Sequence, residues 1–216
     1  MQGNGMPFDK TQDRPFDKAQ GKEEEESGWV REALAGDQEA FARLVEHCQA
    51  AVYNLAYRML GNASDAEDAA QETFLRAYSR LRSYDPARKF SSWLLAIAAH
   101  HCIDRLRRRR WTVSWEDIPL GRKFSTGRDP EREIEREEER EEIRRLLERL
   151  PPHYRLVVIL YYWNDLSCRQ IGEVMGLGEG AVKSRLHRAR RMLAQGLREE
   201  RGSVSHHSSV AMGELP

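Results

Sequence analysis

The side chains best suited to chemistry in this sequence are positively charged. Five arginines, Arg105, Arg107, Arg108, Arg109 and Arg110, fall within the stretch DRLRRRRW. A second set, Lys183, Ser184, Arg185, His187, Arg188, Arg190 and Arg191, is packed into residues 183–191. Groups of this kind at this density neutralise phosphates and donate to base edges, and a polyanion relieves their mutual repulsion. A helix C-terminus favours one or two cations, at about 0.3–1 kcal/mol each, so five exceed that need. Metal binding is the other chemistry on offer, at His100, His101 and Cys102. Adjacent helical positions point about 100° apart, so the two histidines cannot converge on one ion unaided, and no partner stands at ligand spacing. The expectation is no metal and no cofactor, with a zinc enzyme at His100/His101 as a rival. Gly-rich phosphate loops, G-x-S-x-G and H-E-x-x-H are absent.

The positive clusters sit in a chain with 35 basic and 35 acidic residues. Lys+Arg stands against Asp+Glu as 5 to 8 over residues 1–36, 12 to 9 over 37–111, 9 to 12 over 112–150, and 9 to 6 over 151–216. Two basic units flank an acidic stretch, a pattern suited to two contacts with one polyanion. A length of 216 residues accommodates one domain, or two small ones joined by a linker. No apolar run approaches the roughly 20 residues that span a bilayer, and no signal-peptide core is present, so the expected location is the cytoplasm. Cys48, Cys102 and Cys168 are far apart and read as reduced thiols, small hydrophobes rather than disulfide partners.

The elements that must position these groups read as helices throughout. Residues 1–27 carry an imperfect repeat, PFDKTQ and PFDKAQ, then EEEE, and are expected to be a disordered tail. Over 28–111, apolar residues recur at three and four (Phe41, Leu44, Val45, Cys48; Val52, Leu55, Ala56, Met59), and Gly61-Asn62 interrupts them. Ser64 is the expected N-cap of the next helix, whose acids and Gln71 read first as a solvated face. The loop SYDPARKF leads to Phe90, Trp93, Leu94 and Ile97; this spacing favours core over base stacking for the two aromatics. Residues 112–130, with Pro119, Gly121, Gly127 and Pro130, read as a linker. Residues 131–198 form a second unit: a charged helix stopped at Pro151-Pro152, an apolar helix, and two helices joined by a glycine turn, the first capped by Ser167. In the last helix Val182, Leu186, Ala189 and Leu193 form a buried stripe, and the basic residues lie off it. That is the helix-turn-helix division of labour, with a basic solvated helix as the plain alternative. Residues 199–216 are an expected C-terminal tail.

Three stretches, DAEDAAQETFLRAYSRL, FSSWLLAIAAHHCIDRLRRRR and LPPHYRLVVILYYWNDLSCRQIGEVMGLGEGAVKSRLHRARRML, resemble in order and spacing the two conserved regions of extracytoplasmic-function sigma factors of the sigma-70 family. The resemblance covers about residues 37–111 and 131–196. It implies an all-α, two-domain promoter-specificity subunit of bacterial RNA polymerase, regions two and four on a flexible linker, sequestered by an anti-sigma factor. It also implies that Asp68, Gln71, Glu72, Leu75 and Arg76 contact core polymerase, which replaces the solvated-face reading. The implied minus-ten set is Arg82, Ser83, Tyr84, Arg88, Lys89, Phe90, His100, Arg105 and Arg107–Arg110, with the loop capturing a flipped base and the arginines gripping the backbone. The implied minus-thirty-five set is Ser167, Lys183, Ser184, Arg185, His187, Arg188 and Arg191. His100 stands where many relatives have asparagine, and Ala181 where threonine is usual. A stand-alone helix-turn-helix regulator is the rival reading, and it predicts tight duplex binding without polymerase.

Overall fold

In the computed structural model, which describes residues 19–112 and 141–210 and side chains over 25–109 and 141–198, Asp37 opens the first long helix. Its carboxylate accepts from the otherwise free N–H groups of Glu39 and Ala40 at 2.8 and 3.2 Å. Gly61 closes that helix at φ 83°, a left-handed turn that only glycine adopts without strain. The helix is α2 (Gln38–Leu60); α1 (Ala19–Leu34) precedes it, and α3 (Ala63–Arg80), a 3-10 turn at Leu81–Ser83 and α4 (Phe90–Thr112) follow. The second unit holds a helix described over residues 141–148 (α5), then α6 (Pro152–Tyr162), α7 (Cys168–Met175) and α8 (Glu179–Val210). Among the described residues there is no strand, so the expected all-α class holds.

Three boundaries differ from expectation. The tail expected to end at residue 27 is helical from Ala19, and α8 carries the expected C-terminal tail on to Val210. Asn62, not Ser64, caps α3: its side-chain carbonyl accepts from the Asp65 N–H at 2.8 Å while its amide donates to the Asp65 carboxylate at 2.8 Å. The PFDKxQ repeat as far as residue 18, the linker from residue 113 and residues 131–140 lie outside the described residues.

The first unit packs α2 against α1, α3 and α4. Leu44, Cys48, Val52, Leu55 and Met59 of α2 are fully buried, as the three-and-four spacing predicts. Ala66, Ala69 and Ala77 line the buried face of α3, small enough for close approach, and the Thr73 hydroxyl donates to the Ala69 carbonyl at 2.7 Å. Burial pushes the Cys102 thiol up to about 12 and that of Cys48 higher still, so both stay protonated; all three cysteines are free.

In the second unit five consecutive apolar residues, Leu156 to Leu160, are buried, so α6 is enclosed on every side. Pro152 fits its first turn, where no N–H partner is needed. Ser167 and Gln170 form a capping box at the start of α7. The turn between α7 and α8 requires Gly172, because a Cβ there would sit 2.5 Å from the Leu177 carbonyl oxygen. Val182, Leu186, Ala189 and Leu193 seat α8. The two units share one continuous apolar core: α6 packs on α2 and α4, and α7 on α4.

Candidate nucleic-acid interface

The helix-turn-helix presents its polar face outward. With the Val182–Leu193 stripe buried, Lys183, Ser184, His187, Arg188 and Arg191 are exposed and Arg185 is half-buried. Lys183 is held by Glu179 one turn earlier, Nζ to Oε1 2.6 Å, and this bond and charge raise the lysine and lower the glutamate from their ordinary values. Glu179 was not singled out from sequence, although its i,i+4 spacing to Lys183 was readable. Ser167 is exposed, with its hydroxyl engaged in the capping box. Arg190, expected beside the basic face, turns away from it. Its Nε donates to the Tyr162 hydroxyl at 2.9 Å and its guanidinium lies 5.3 and 5.5 Å from the Tyr161 and Tyr162 ring centroids, joining α8 to α6.

The arginine-rich end of α4 divides in two. Arg105 reaches across to α3, pairing with Asp65 and, at 3.4 Å, with Asp68. Burial pushes Asp65 up, but hydrogen bonds from Asn62 and Arg105 and the charges of Arg105 and Arg109 outweigh it, leaving the carboxyl below its ordinary value. Arg107 and Arg108 are exposed, Arg109 is half-buried, and the Arg110 side chain lies outside the described residues. Arg105, Arg108 and Arg109 line an open depression of about 280 Å³ with Asp65, Leu60 and Leu106.

Between α3 and α4 the structure separates the expected minus-ten residues by burial. Arg82, Ser83, Arg88 and Lys89 are exposed. Tyr84 and Phe90 are 8% and 2% exposed, and with Trp93 they form a ring cluster with centroids 5.2–5.6 Å apart. The Tyr84 hydroxyl donates to the Arg88 carbonyl, which pins the loop. These two aromatics hold the loop in shape from within. His100 is exposed, its Nδ1 2.6 Å from the Ala96 carbonyl. His101 is half-buried, and burial together with the charge of Arg76 lowers it from its ordinary value. Among the described residues no three His, Cys, Asp or Glu side chains are placed to hold an ion.

On α3, Asp68 and Gln71 are exposed, and Glu72 accepts from Arg76 at 2.6 Å. Leu75 is 67% exposed, and Tyr78, one turn on, is 51% exposed. The Tyr78 ring meets Phe41 edge-on at 4.9 Å, above an open apolar groove lined by Phe41, Ala42 and Val45. Sequence reasoning missed Tyr78; its three-residue offset from Leu75 was the available signal.

Comparison with known proteins gives this geometry its context. Residues 44–112 match the family model for Sigma-70 region 2, and residues 140–193 that for Sigma-70, region 4. The ECF RNA polymerase sigma factor SigW of Bacillus subtilis is 38% identical over 178 residues, covering 79% of this chain and 95% of that protein. The ECF RNA polymerase sigma factor SigE of Mycolicibacterium smegmatis is 32% identical, covering 87% and 78%. Among solved structures, CnrH in complex with the cytosolic domain of CnrY aligns at a TM-score of 0.64 and 26% identity, covering 81% of this chain and 98% of that one. The fold is also that of the sigma factor RpoE solved with the anti-sigma factor NepR from Bartonella quintana, at a TM-score of 0.57 and 21% identity.

Proposed function

Because this chain belongs to the extracytoplasmic-function sigma factors of the sigma-70 family, we propose that it is a dissociable subunit that brings core RNA polymerase to promoters and helps open them. The single observation that supports the reading most strongly is the pair of family regions in order, each with its polar face outward on a helical scaffold. In this reading α8 lies in the major groove of the minus-thirty-five element, where Lys183, Ser184, His187 and Arg188 reach base edges and Arg185 and Arg191 reach phosphates. The loop with Arg82, Ser83, Arg88 and Lys89 engages the minus-ten element, held in shape by Tyr84 and Phe90, and His100 lies on the following helix. Asp68, Gln71, Glu72, Leu75 and Arg76 contact polymerase. The chain does no catalysis of its own, works in the cytoplasm, and takes an anti-sigma factor as its antagonist. Among the described residues no helix is long and apolar enough to cross a membrane.

Opening DNA costs a few kcal/mol per unstacked step, which captured bases and polymerase contacts must offset together. Hence the isolated chain is expected to bind duplex weakly and initiate specifically once core polymerase is added. In vitro transcription from a randomised promoter library tests this. Substituting Lys183 or His187 by alanine should change preference at particular minus-thirty-five bases by about 1–3 kcal/mol. A uniform loss across all base variants would assign both residues to the backbone instead.

A further inference from the structure

The first turn of α4 carries backbone N–H groups that have no partner inside the helix. Lys89 stands just ahead of it, and its carbonyl accepts from the Trp93 N–H at 3.1 Å, but an ammonium offers no acceptor with which to cap the turn. An acceptor comes instead from α1. Glu26 Oε1 accepts from the Ser91 N–H at 3.4 Å, and Oε2 lies 3.8 Å from His47 Nε2 on α2, against whose ring Trp29 stands edge-on. The Glu26 side chain is only 13% exposed, so water and salt screen its charge poorly, and a carboxylate at a helix N-terminus is favoured. The same group acts on the preceding loop: burial, then the charge of Glu26, push the Tyr84 hydroxyl up to about 12. By sequence Glu26 belongs to a tail; in the fold it is the carboxylate at the start of α4.

We infer that Glu26 is a positioning residue for the minus-ten loop: from α1 it caps the first turn of α4, and so fixes the exposed Arg88 and Lys89 that lead into that turn. The linkage is short. Phe90 and Trp93 of the capped turn pack with Tyr84, whose hydroxyl donates to the Arg88 carbonyl, so a shift of the turn moves both ends of the segment 84–89. A loop that captures an unstacked base has to hold its shape before the base arrives, because ordering it at the moment of binding subtracts from affinity. On this account α1 is a working part of the minus-ten module, and a residue outside the loop sets the loop's selectivity. Assigning the loop to the minus-ten element rests on the sigma-factor reading; the capping itself does not.

Two measurements on the full chain test this. In the protein alone, amide hydrogen exchange over residues 82–92 should be about fivefold faster in Glu26→Ala, with α8 unchanged; fivefold corresponds to about 1 kcal/mol, the usual worth of a side-chain cap. Glu26→Gln keeps an acceptor oxygen without the charge and should fall between the two. With core polymerase bound, Glu26→Ala should lose about fivefold of the wild-type preference for a single-stranded oligonucleotide of the selected minus-ten sequence over a scrambled one. Duplex binding through the minus-thirty-five element should stay as in wild type. Arg43→Ala, which breaks the exposed pair with Glu32 nearer the other end of α1, should match wild type throughout. If Glu26→Ala loses helix content by far-UV circular dichroism, Glu26→Gln decides. Exchange equal to wild type, or faster exchange with an unchanged oligonucleotide preference, overturns the proposal, as does an Arg43→Ala that reproduces the change. If wild type with core polymerase prefers no minus-ten sequence while exchange shifts as stated, the capping role stands and the sigma-factor reading falls.

Discussion

Replacing Leu75 and Tyr78 together by alanine is expected to weaken association with core RNA polymerase by at least about 30-fold, equivalent to about 2 kcal/mol, the threshold for an interface hot spot. Among the described residues only Leu75, Tyr78 and Met192 are large hydrophobics left exposed, and the first two stand one turn apart on α3. Scattered single apolar residues need no explanation, but a leucine and a tyrosine side by side, beside an apolar groove and flanked by Asp68, Gln71 and Glu72, have the make-up of an interface centre with a polar rim. Neither residue is buried in the fold, so thermal stability should change little. Pull-down or fluorescence titration with core polymerase measures the effect, and wild-type affinity in the double variant would place the polymerase contact elsewhere.

Replacing Arg107, Arg108 and Arg109 by alanine is expected to flatten the salt dependence of promoter binding by the polymerase complex. Each phosphate contact contributes about 0.9 to the slope of log K against log salt, so losing three lowers it by about 2–3 and costs affinity on all sequences alike. Arg105 is expected to behave differently. It is 34% exposed and engaged by Asp65 and Asp68, so Arg105→Ala removes a bridge between α3 and α4. Such a partly exposed pair is worth up to about 1 kcal/mol of fold stability. Binding titrations from low to moderate salt, run beside thermal melts, separate the two outcomes; an unchanged slope for the triple variant would remove the arginines from the phosphate backbone.

What could be read from sequence was local. The stripes Leu44–Met59 and Val182–Leu193 repeat with the helical period, so their burial needs no knowledge of partners. Ser167 and Gln170 carry their cap within four residues. What escaped was decided at a distance or by a choice between near equals. Asn62 and Ser64 are both good caps; the left-handed turn at Gly61 precedes Asn62 directly and starts α3 there. The expected tail is helical from Ala19, and α1 docks where Trp29 meets the His47 ring at 5.7 Å and Glu26 accepts from the Ser91 N–H at 3.4 Å, 65 positions on. No composition count over residues 1–27 reveals that contact. Arg107 pairs with Asp104 one turn before it, at 3.2 Å, as its spacing allows, whereas the partners of Arg105 lie 37 and 40 positions away and no local pattern shows them. Arg155 reads as an interruption in an apolar helix until the carbonyls of α2 come beside it.

The most direct test is equilibrium binding of the purified, folded chain to promoter duplex, with and without core RNA polymerase. Weak, poorly selective binding alone and tight, sequence-selective binding with strand opening in the presence of core is the predicted result. Tight, selective duplex binding that core polymerase does not alter would contradict it, and would identify a self-sufficient regulator instead.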